Sequence, residues 1–322
     1  VLKKPTDYLL KPIRVFQRKS SLSRPACCYD PEDVQVLQKL APQLEQKLMP
    51  GLTNACFHLK GRGGHKAAVR KIDAAIKTGN YRYVCRSDAK SYYDSIDTDL
   101  LMVQLRQYVR CRQMLSLLYQ YLHRCVCRDG IFRCVDQGIP HGGVLSPLLA
   151  ALYMAPLDRS MEALGEKGIF YIRYMDDWVI LAPNRYKLRE AVAKMNAVLA
   201  ELKLEKHPDK TFIGRLSHGF DALGYQFSEE DGLCGPSATA IQRFGARIVE
   251  RYAQHESRES LLQYVTRWLG YQFGSKHATS GMFGSETKIQ TIKNNNNNEN
   301  TTQLQIHAAM ETHKTVCACS CS

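Results

Sequence analysis

Residues 170–183, FYIRYMDDWVILAP, place two adjacent aspartates, Asp176 and Asp177, between two strongly apolar and aromatic runs. The flanks, Tyr171-Ile172-Arg173-Tyr174 and Trp178-Val179-Ile180-Leu181, predict two short strands around a tight turn. A solvated hairpin turn tolerates Asp, but flanks this apolar belong to central strands. Two carboxylates pushed together inside a sheet repel, and burying them unpaired is strongly unfavourable. A divalent cation removes that penalty. Hard cations such as Mg²⁺ take carboxylate oxygens and keep positions open for phosphate oxygens, and Mn²⁺ is a possible substitute. Two such ions about 3.5–4 Å apart, clamping the attacking and leaving oxygens of a phosphoryl displacement, need a third carboxylate from another strand. Asp88, just after the strand-like Tyr83-Val84-Cys85, is the best placed. Asp94, Asp97 and Asp99 are nearby alternatives of helix-start character.

Charge points the same way. The 322 residues carry a net charge of +13. A balance that basic favours polyanion partners, nucleic acid before anionic membrane, against the plainer reading of a charge for solubility. Residues 1–72 alone hold 14 Lys or Arg against 5 Asp or Glu. A hydrophobic fraction of 44% supports a real core, in one large domain or two to three subdomains. No apolar run approaches the roughly 20 residues that span a bilayer, and the first residues, mixed and basic, lack a signal core, so no membrane partner is expected. The 12 cysteines do not pair into a metal-ligand pattern, since Cys125 and Cys127 are one residue apart and Cys27 and Cys28 are adjacent. Free thiols in a reducing cytoplasm are the expectation. The closing CACSCS could bind a soft metal, but disorder is expected there and in the NNNNNEN run.

Along the chain, PEDVQVLQKLAPQLEQKL predicts two short helices or a kinked one, because Pro42 interrupts it. The loop Lys60-Gly61-Arg62-Gly63-Gly64-His65-Lys66 leads into a helix through Ala67, Ile72 and Ile76. Cations and exposed amides there suit triphosphate or nucleic-acid backbone, with Lys60, Arg62 and Lys66 as the contacts. It lacks the GxxxxGK-Ser/Thr spacing, which disfavours a P-loop NTPase. His58 and His65 are expected as surface or nucleic-acid contacts. Residues 99–122 predict one helix, residues 131 onward a hairpin and a Gly/Pro-rich turn, and a helix starts near Pro147, with Ser146 as its cap. Residues 186–204 form an amphipathic helix with Leu188, Val192, Met195, Val198, Leu199 and Leu202 on one face. HPDKTFIG and FDALGYQF each predict a strand, and residues 237–274 a small helical module with Phe244, Ile248, Tyr252, Leu262, Val265, Trp268 and Leu269 as apolar contacts.

Taken in order, RSDAKSYYDSID, QGIPHGGVLSPLLAALYM, YIRYMDDW, KLEKHPDKT and FDALGYQF resemble successive motifs of the bacterial reverse transcriptases of group II introns, retrons and diversity-generating elements. HLKGRGGHKAAV sits where that superfamily has its fingers motif. The resemblance spans roughly residues 50–230. It implies an α+β right-hand polymerase fold with fingers, an antiparallel palm sheet and a short helical thumb. The implied divisions are 1–80 for an N-terminal extension and fingers, 81–235 for the palm, 236–276 for the thumb and 277–322 for a low-complexity tail.

By the same resemblance Asp88, Asp176 and Asp177 hold two Mg²⁺ ions, and Lys210 gives a proton or charge to departing pyrophosphate. Ala89, His141 and Gly142 lie at the nucleotide pocket, and Tyr93 is an aromatic gate against the 2′-hydroxyl of ribonucleotides. Without the resemblance Tyr93 reads as a core aromatic beside Tyr92. The common pattern has Gln where His141 stands. The implied reaction is extension of a primer 3′-OH with dNTPs on an RNA template, the primer being DNA or RNA, with a cognate structured RNA as a further partner. The alternatives are template-independent or protein-primed synthesis of the antiviral-defence kind, a maturase-like RNA-binding scaffold, and a metal nuclease. As a group II intron-like enzyme the chain would serve a mobile element.

Overall fold

The computed structural model describes residues 8–16 and 26–277. The Asn-rich run and the CACSCS end, expected as disordered, lie outside the described residues. The described chain divides into two units, Val1–Leu223 with Phe227–Cys234, and Gly224–Gln226 with the residues from Gly235.

The first unit is organised on a four-stranded antiparallel sheet in the order β6-β7-β3-β8. Its strands are β3 (Tyr83–Asp88), β6 (Phe170–Tyr174), β7 (Asp177–Ala182) and β8 (Phe212–Arg215). The register sets Cys85 opposite Ile180, Ser87 opposite Trp178 and Asp88 opposite Asp177. Side chains alternate between faces. One face therefore carries Cys85, Tyr171, Trp178, Ile180 and Ala182, all buried in the main core. Against this side pack α7 (Ala155–Glu162) and α8 (Arg185–Glu201). The opposite face carries buried Val84, Ile172, Val179 and Leu181, and at its far end Asp88 and Asp177. The helix α2 (Gly64–Lys77) packs on β6.

Helix α1 (Pro31–Leu48) runs unbroken through Pro42, where an interruption is expected from sequence. Asp30 caps it by accepting from the Glu32 amide, and Leu37, Leu40, Leu44 and Leu48 form a fully buried stripe. Pro42 stands on the exposed side, so the stripe holds both halves in one helix despite the roughly 3 kcal/mol that an interior proline disfavours. The single helix expected over 99–122 is two, α4 (Thr98–Tyr108) and α5 (Arg112–Leu122), parted at an extended Val109 that is itself buried. The break lets Leu101 and Leu105 on one side, and Leu117 and Tyr121 on the other, reach the same core.

FDALGYQF is a hairpin rather than one strand. β9 (Phe220–Ala222) and β10 (Tyr225–Ser228) flank Leu223 and Gly224, both at positive φ as a two-residue hairpin turn requires. β11 (Gly232–Pro236) completes that three-stranded sheet. A second four-stranded sheet, in the order β2-β1-β4-β5, joins β1 (Ile13–Phe16) and β2 (Ala26–Cys28) to the hairpin β4 (Cys125–Arg128) and β5 (Ile131–Cys134), with β1 parallel to β4. α3 (Tyr92–Ser95) and α6 (Ser146–Tyr153) complete the unit.

In the second unit α9 (Ala238–Ala253) and α10 (Arg258–His277) meet through Phe244, stacked on Trp268 at 4.1 Å and on Tyr264 at 5.6 Å. Tyr252 and Leu262, expected as apolar contacts, are 66% and 44% exposed. Tyr264, which also lies under the Arg251 guanidinium, takes their place. No helix of the described residues is long and apolar enough to cross a membrane.

Candidate active site

The three acids meet where two strands end. Asp88 is the last residue of β3 and Asp177 the first of β7, and the antiparallel register puts them directly opposite one another on one face. Asp176 sits in the turn before Asp177, and its carbonyl accepts from the Ala89 amide at 3.2 Å. Burial pushes the Asp177 carboxyl up to about 7, and the neighbouring Asp176 and Asp88 carboxylates add to the rise. Asp88 is 2% exposed, and its Oδ1 has no protein hydrogen-bond partner. Its Oδ2 is paired with the Lys210 ammonium. Lys210 closes a short turn, Pro208–Lys210, held by the Arg86 guanidinium on its carbonyl and by the His207 amide on the Asp88 carbonyl.

Among the described residues no three His, Cys, Asp or Glu side chains converge as a formed metal cage. The donor set nonetheless suits a hard divalent cation: three carboxylates on one turn and one strand end, one with an orphaned buried oxygen and one whose charged form is disfavoured by burial and then by its neighbours.

The turn itself is braced by residues the sequence does not point to. Arg173 is fully buried and forks onto Asp158, with Nε on Oδ1 at 2.7 Å and Nη2 on Oδ2 at 2.5 Å. Its Nη1 donates to the Met175 carbonyl at 2.8 Å, and the Tyr171 hydroxyl donates to the same Asp158. Met175 occupies a left-handed backbone conformation, φ 58°. From the other side His58 Nδ1 accepts from the Met175 amide at 3.1 Å, while Nε2 faces the Pro147 carbonyl at 3.0 Å. An amide only donates and a carbonyl only accepts, so these partners fix the neutral imidazole with its proton on Nε2. Burial, then the Arg173 charge, lowers its pKa to about 4, in keeping with that form. His65 lies edge-on to Tyr174 at 5.2 Å and bonds the Leu223 carbonyl. His58, expected as a surface or nucleic-acid contact, is thus built into the support of the turn, while His65 packs on the end of β6. The role of His58 leaves no local signal in the sequence because its contact with the turn depends on the distant bridge of Cys56 to Arg173.

Of the phosphate-loop candidates, Lys60 and Lys66 are exposed, and Arg62 is half-buried with Nη2 on the Leu52 carbonyl at 3.5 Å. Tyr93 is half-buried, and burial, then the Asp176 charge, pushes its hydroxyl up to about 12. His141 stacks on it at 5.2 Å. Gly142, exposed and at φ 73°, has open space where a Cβ would stand, so backbone conformation rather than room favours glycine there. Ala89 is buried beneath the Asp176 carbonyl.

The chain is 25% identical over 177 residues to Protein YkfC of Escherichia coli K12, covering 45% of this chain and 46% of that protein. It is 30% identical over 103 residues to the Group II intron-encoded protein LtrA of Lactococcus lactis subsp. cremoris, 30% of this chain and 17% of the other. It therefore spans less than half the length of these curated relatives. Among solved structures it superposes on the apo telomerase of Candida tropicalis with a TM-score of 0.52, at 14% identity, over 88% of this chain and 54% of that one. That likeness gives the fold: a right-hand polymerase with fingers, an antiparallel palm sheet and a short helical thumb. Residues 16–227, about two thirds of the sequence, match the family described as Reverse transcriptase (RNA-dependent DNA polymerase), and the chain belongs to it.

Proposed function

We propose that the chain is an RNA-directed DNA polymerase that extends a primer 3′-OH with dNTPs. The observation that carries the reading is the pairing of Asp88 with Asp177 beside Asp176, which brings three carboxylates together at one strand end. In this reading Asp88, Asp176 and Asp177 hold two Mg²⁺ ions, for which Mn²⁺ can substitute. When bound, such ions lower the pKa of the attacking hydroxyl and neutralise charge on the triphosphate.

The protein's own residues do the rest. Lys210, on Asp88, carries a positive charge at the edge of the acids, suited to the departing pyrophosphate. Tyr93 presents its ring beside the acids, where it would exclude a 2′-hydroxyl. The backbone around Gly142 and buried Ala89 line the same end of the sheet, and Lys60, Arg62 and Lys66 supply cations for phosphates. His58 and Arg173 hold the aspartate turn through the Met175 amide and carbonyl. Residues 1–80 serve as N-terminal extension and fingers, 81–235 as palm and 236–276 as thumb. Relatives named as intron-encoded support a group II intron-like setting, with an RNA template, a DNA or RNA primer and a cognate structured RNA as partners.

The test is primer extension on poly(rA)/oligo(dT) with labelled dTTP and Mg²⁺, beside the Asp176→Ala, Asp177→Ala double variant and a no-template control. Templated extension that disappears in the variant is expected. Extension without template would replace the reading with untemplated synthesis, and no incorporation by folded, RNA-binding protein would overturn it.

A further inference from the structure

His141 stands where a nucleotide-contacting side chain is expected, but its surroundings give it another task. Its ring stacks nearly parallel on Tyr93, centroids 5.2 Å apart and planes 23° from one another. Its Nε2 faces Asp94 Oδ1 at 3.0 Å. Asp94 is the residue next to Tyr93, so the imidazole is tied to the very turn whose aromatic ring it covers. The backbone repeats the attachment. The Ile139 amide donates to the Tyr93 carbonyl at 2.8 Å and the Gly138 amide to the Ile96 carbonyl at 2.8 Å. Gly138 is at φ 80°, and a Cβ there would meet the Tyr93 carbonyl oxygen at 2.8 Å and the Asp94 Cα at 2.9 Å. The segment bearing His141 is therefore pressed onto the segment bearing Tyr93, with no slack for a side chain at the contact.

The Tyr93 ring has a fixed neighbour on another side as well. Tyr92 meets it edge-on at 5.9 Å and is itself buried, its hydroxyl donating to the Ala150 carbonyl. An unsupported half-buried tyrosine can swing about two torsions. This one is flanked by Tyr92 on one side and by a His141 bonded to Asp94 on the other, and both contacts narrow that freedom.

We propose that His141 is a positioning residue for Tyr93, and that the His141–Asp94 pair sets how strictly the site refuses ribonucleotides. The inference rests on the reading of Tyr93 as the sugar gate. Discrimination against one hydroxyl depends on sub-ångström placement of the group that would collide with it. Releasing the stack does not remove the gate but lets it yield. A side chain that instead touched the nucleotide would act on deoxy- and ribonucleotides alike.

The measurement is the ratio of kcat/KM for dTTP to kcat/KM for UTP on poly(rA)/oligo(dT), taken within each full-length protein so that absolute rates cancel. The variants are Tyr93→Ala, His141→Ala, His141→Phe, Asp94→Ala and the Tyr93→Ala, His141→Ala pair, each checked for folding by thermal melt. Tyr93→Ala is expected to lower the ratio most. His141→Ala and Asp94→Ala should each lower it about three- to tenfold, the scale of one aromatic stacking contact. His141→Phe, which keeps a ring on Tyr93, should retain more of the ratio than His141→Ala. In the Tyr93→Ala background His141→Ala should add nothing. An unchanged ratio in His141→Ala, with both efficiencies lowered together or neither lowered, overturns the proposal while leaving the gate in place. An unchanged ratio in Tyr93→Ala removes the gate reading and this inference with it, and a wild type that incorporates neither nucleotide defeats the polymerase reading beneath both.

Discussion

At Asp177 the protein holds a carboxyl whose ionised form is disfavoured by burial first and by two like charges next. Its folded pKa of about 7 lies above the ordinary value of 3.8. The folded state thus binds the proton more tightly, and this group's contribution to stability is fully present below about pH 4 and lost as pH rises through about 7. Asp177→Asn removes the charge and keeps the shape. Without divalent cations, the variant should melt higher than the wild type at pH 8, by roughly 5–10 °C for an effect on the order of 2–4 kcal/mol in a unit this size. The gain should shrink toward zero by pH 4, and Mg²⁺ should raise the melting point of the wild type more than that of the variant. A difference that stays constant with pH would refute the electrostatic account. The acids were legible because their signal is local: adjacency, apolar flanks, and a third Asp at a strand end. His58 was not, since its partners Met175 and Pro147 lie 117 and 89 residues away along the chain.

The elements that carry the turn show the same division. β6 and β7 follow from alternation and apolar runs, yet nothing local says that Arg173 inside β6 will be wholly buried against Asp158 of α7. Breaking such a pair from one side leaves a charge stranded, while replacing both members leaves none. Arg173→Met should therefore destabilise the fold by about 3–5 kcal/mol in urea unfolding. Arg173→Met with Asp158→Leu should recover part of that loss, limited by the Tyr171 hydroxyl that also bonds Asp158. Extension activity should stay low in both, because each lacks the bond to the Met175 carbonyl; recovery of activity with stability would assign Arg173 a purely structural role. Breaker residues misled where packing outweighs them, as at Pro42 in α1. The converse holds at Val109, where no Pro or Gly marks the break between α4 and α5. Leu223-Gly224 is the reverse case, a turn signal masked by apolar neighbours.

Across the whole molecule the charge of +13 is the property that reaches a partner first. If the chain grips a primer–template by neutralising about six phosphates, its Kd should rise on the order of a thousandfold between 50 and 200 mM salt. Anisotropy titration of a labelled RNA–DNA duplex checks this, and a nearly flat salt dependence would assign the charge to solubility. Composition and motif order made the polymerase architecture legible in outline. The sheet of β1, β2, β4 and β5 was not legible as a whole, because β1 pairs in parallel with a strand more than a hundred residues later. The order β6-β7-β3-β8 also has a consequence in time. β3 is made first among the four strands yet lies between two that come later, so both its edges stay open while roughly 90 further residues are synthesised, about 5–20 s at ordinary elongation rates. The nascent chain must shelter a bare, half-apolar strand through that interval, and the site is born in one closing event, when β7 arrives and sets Asp177 against Asp88.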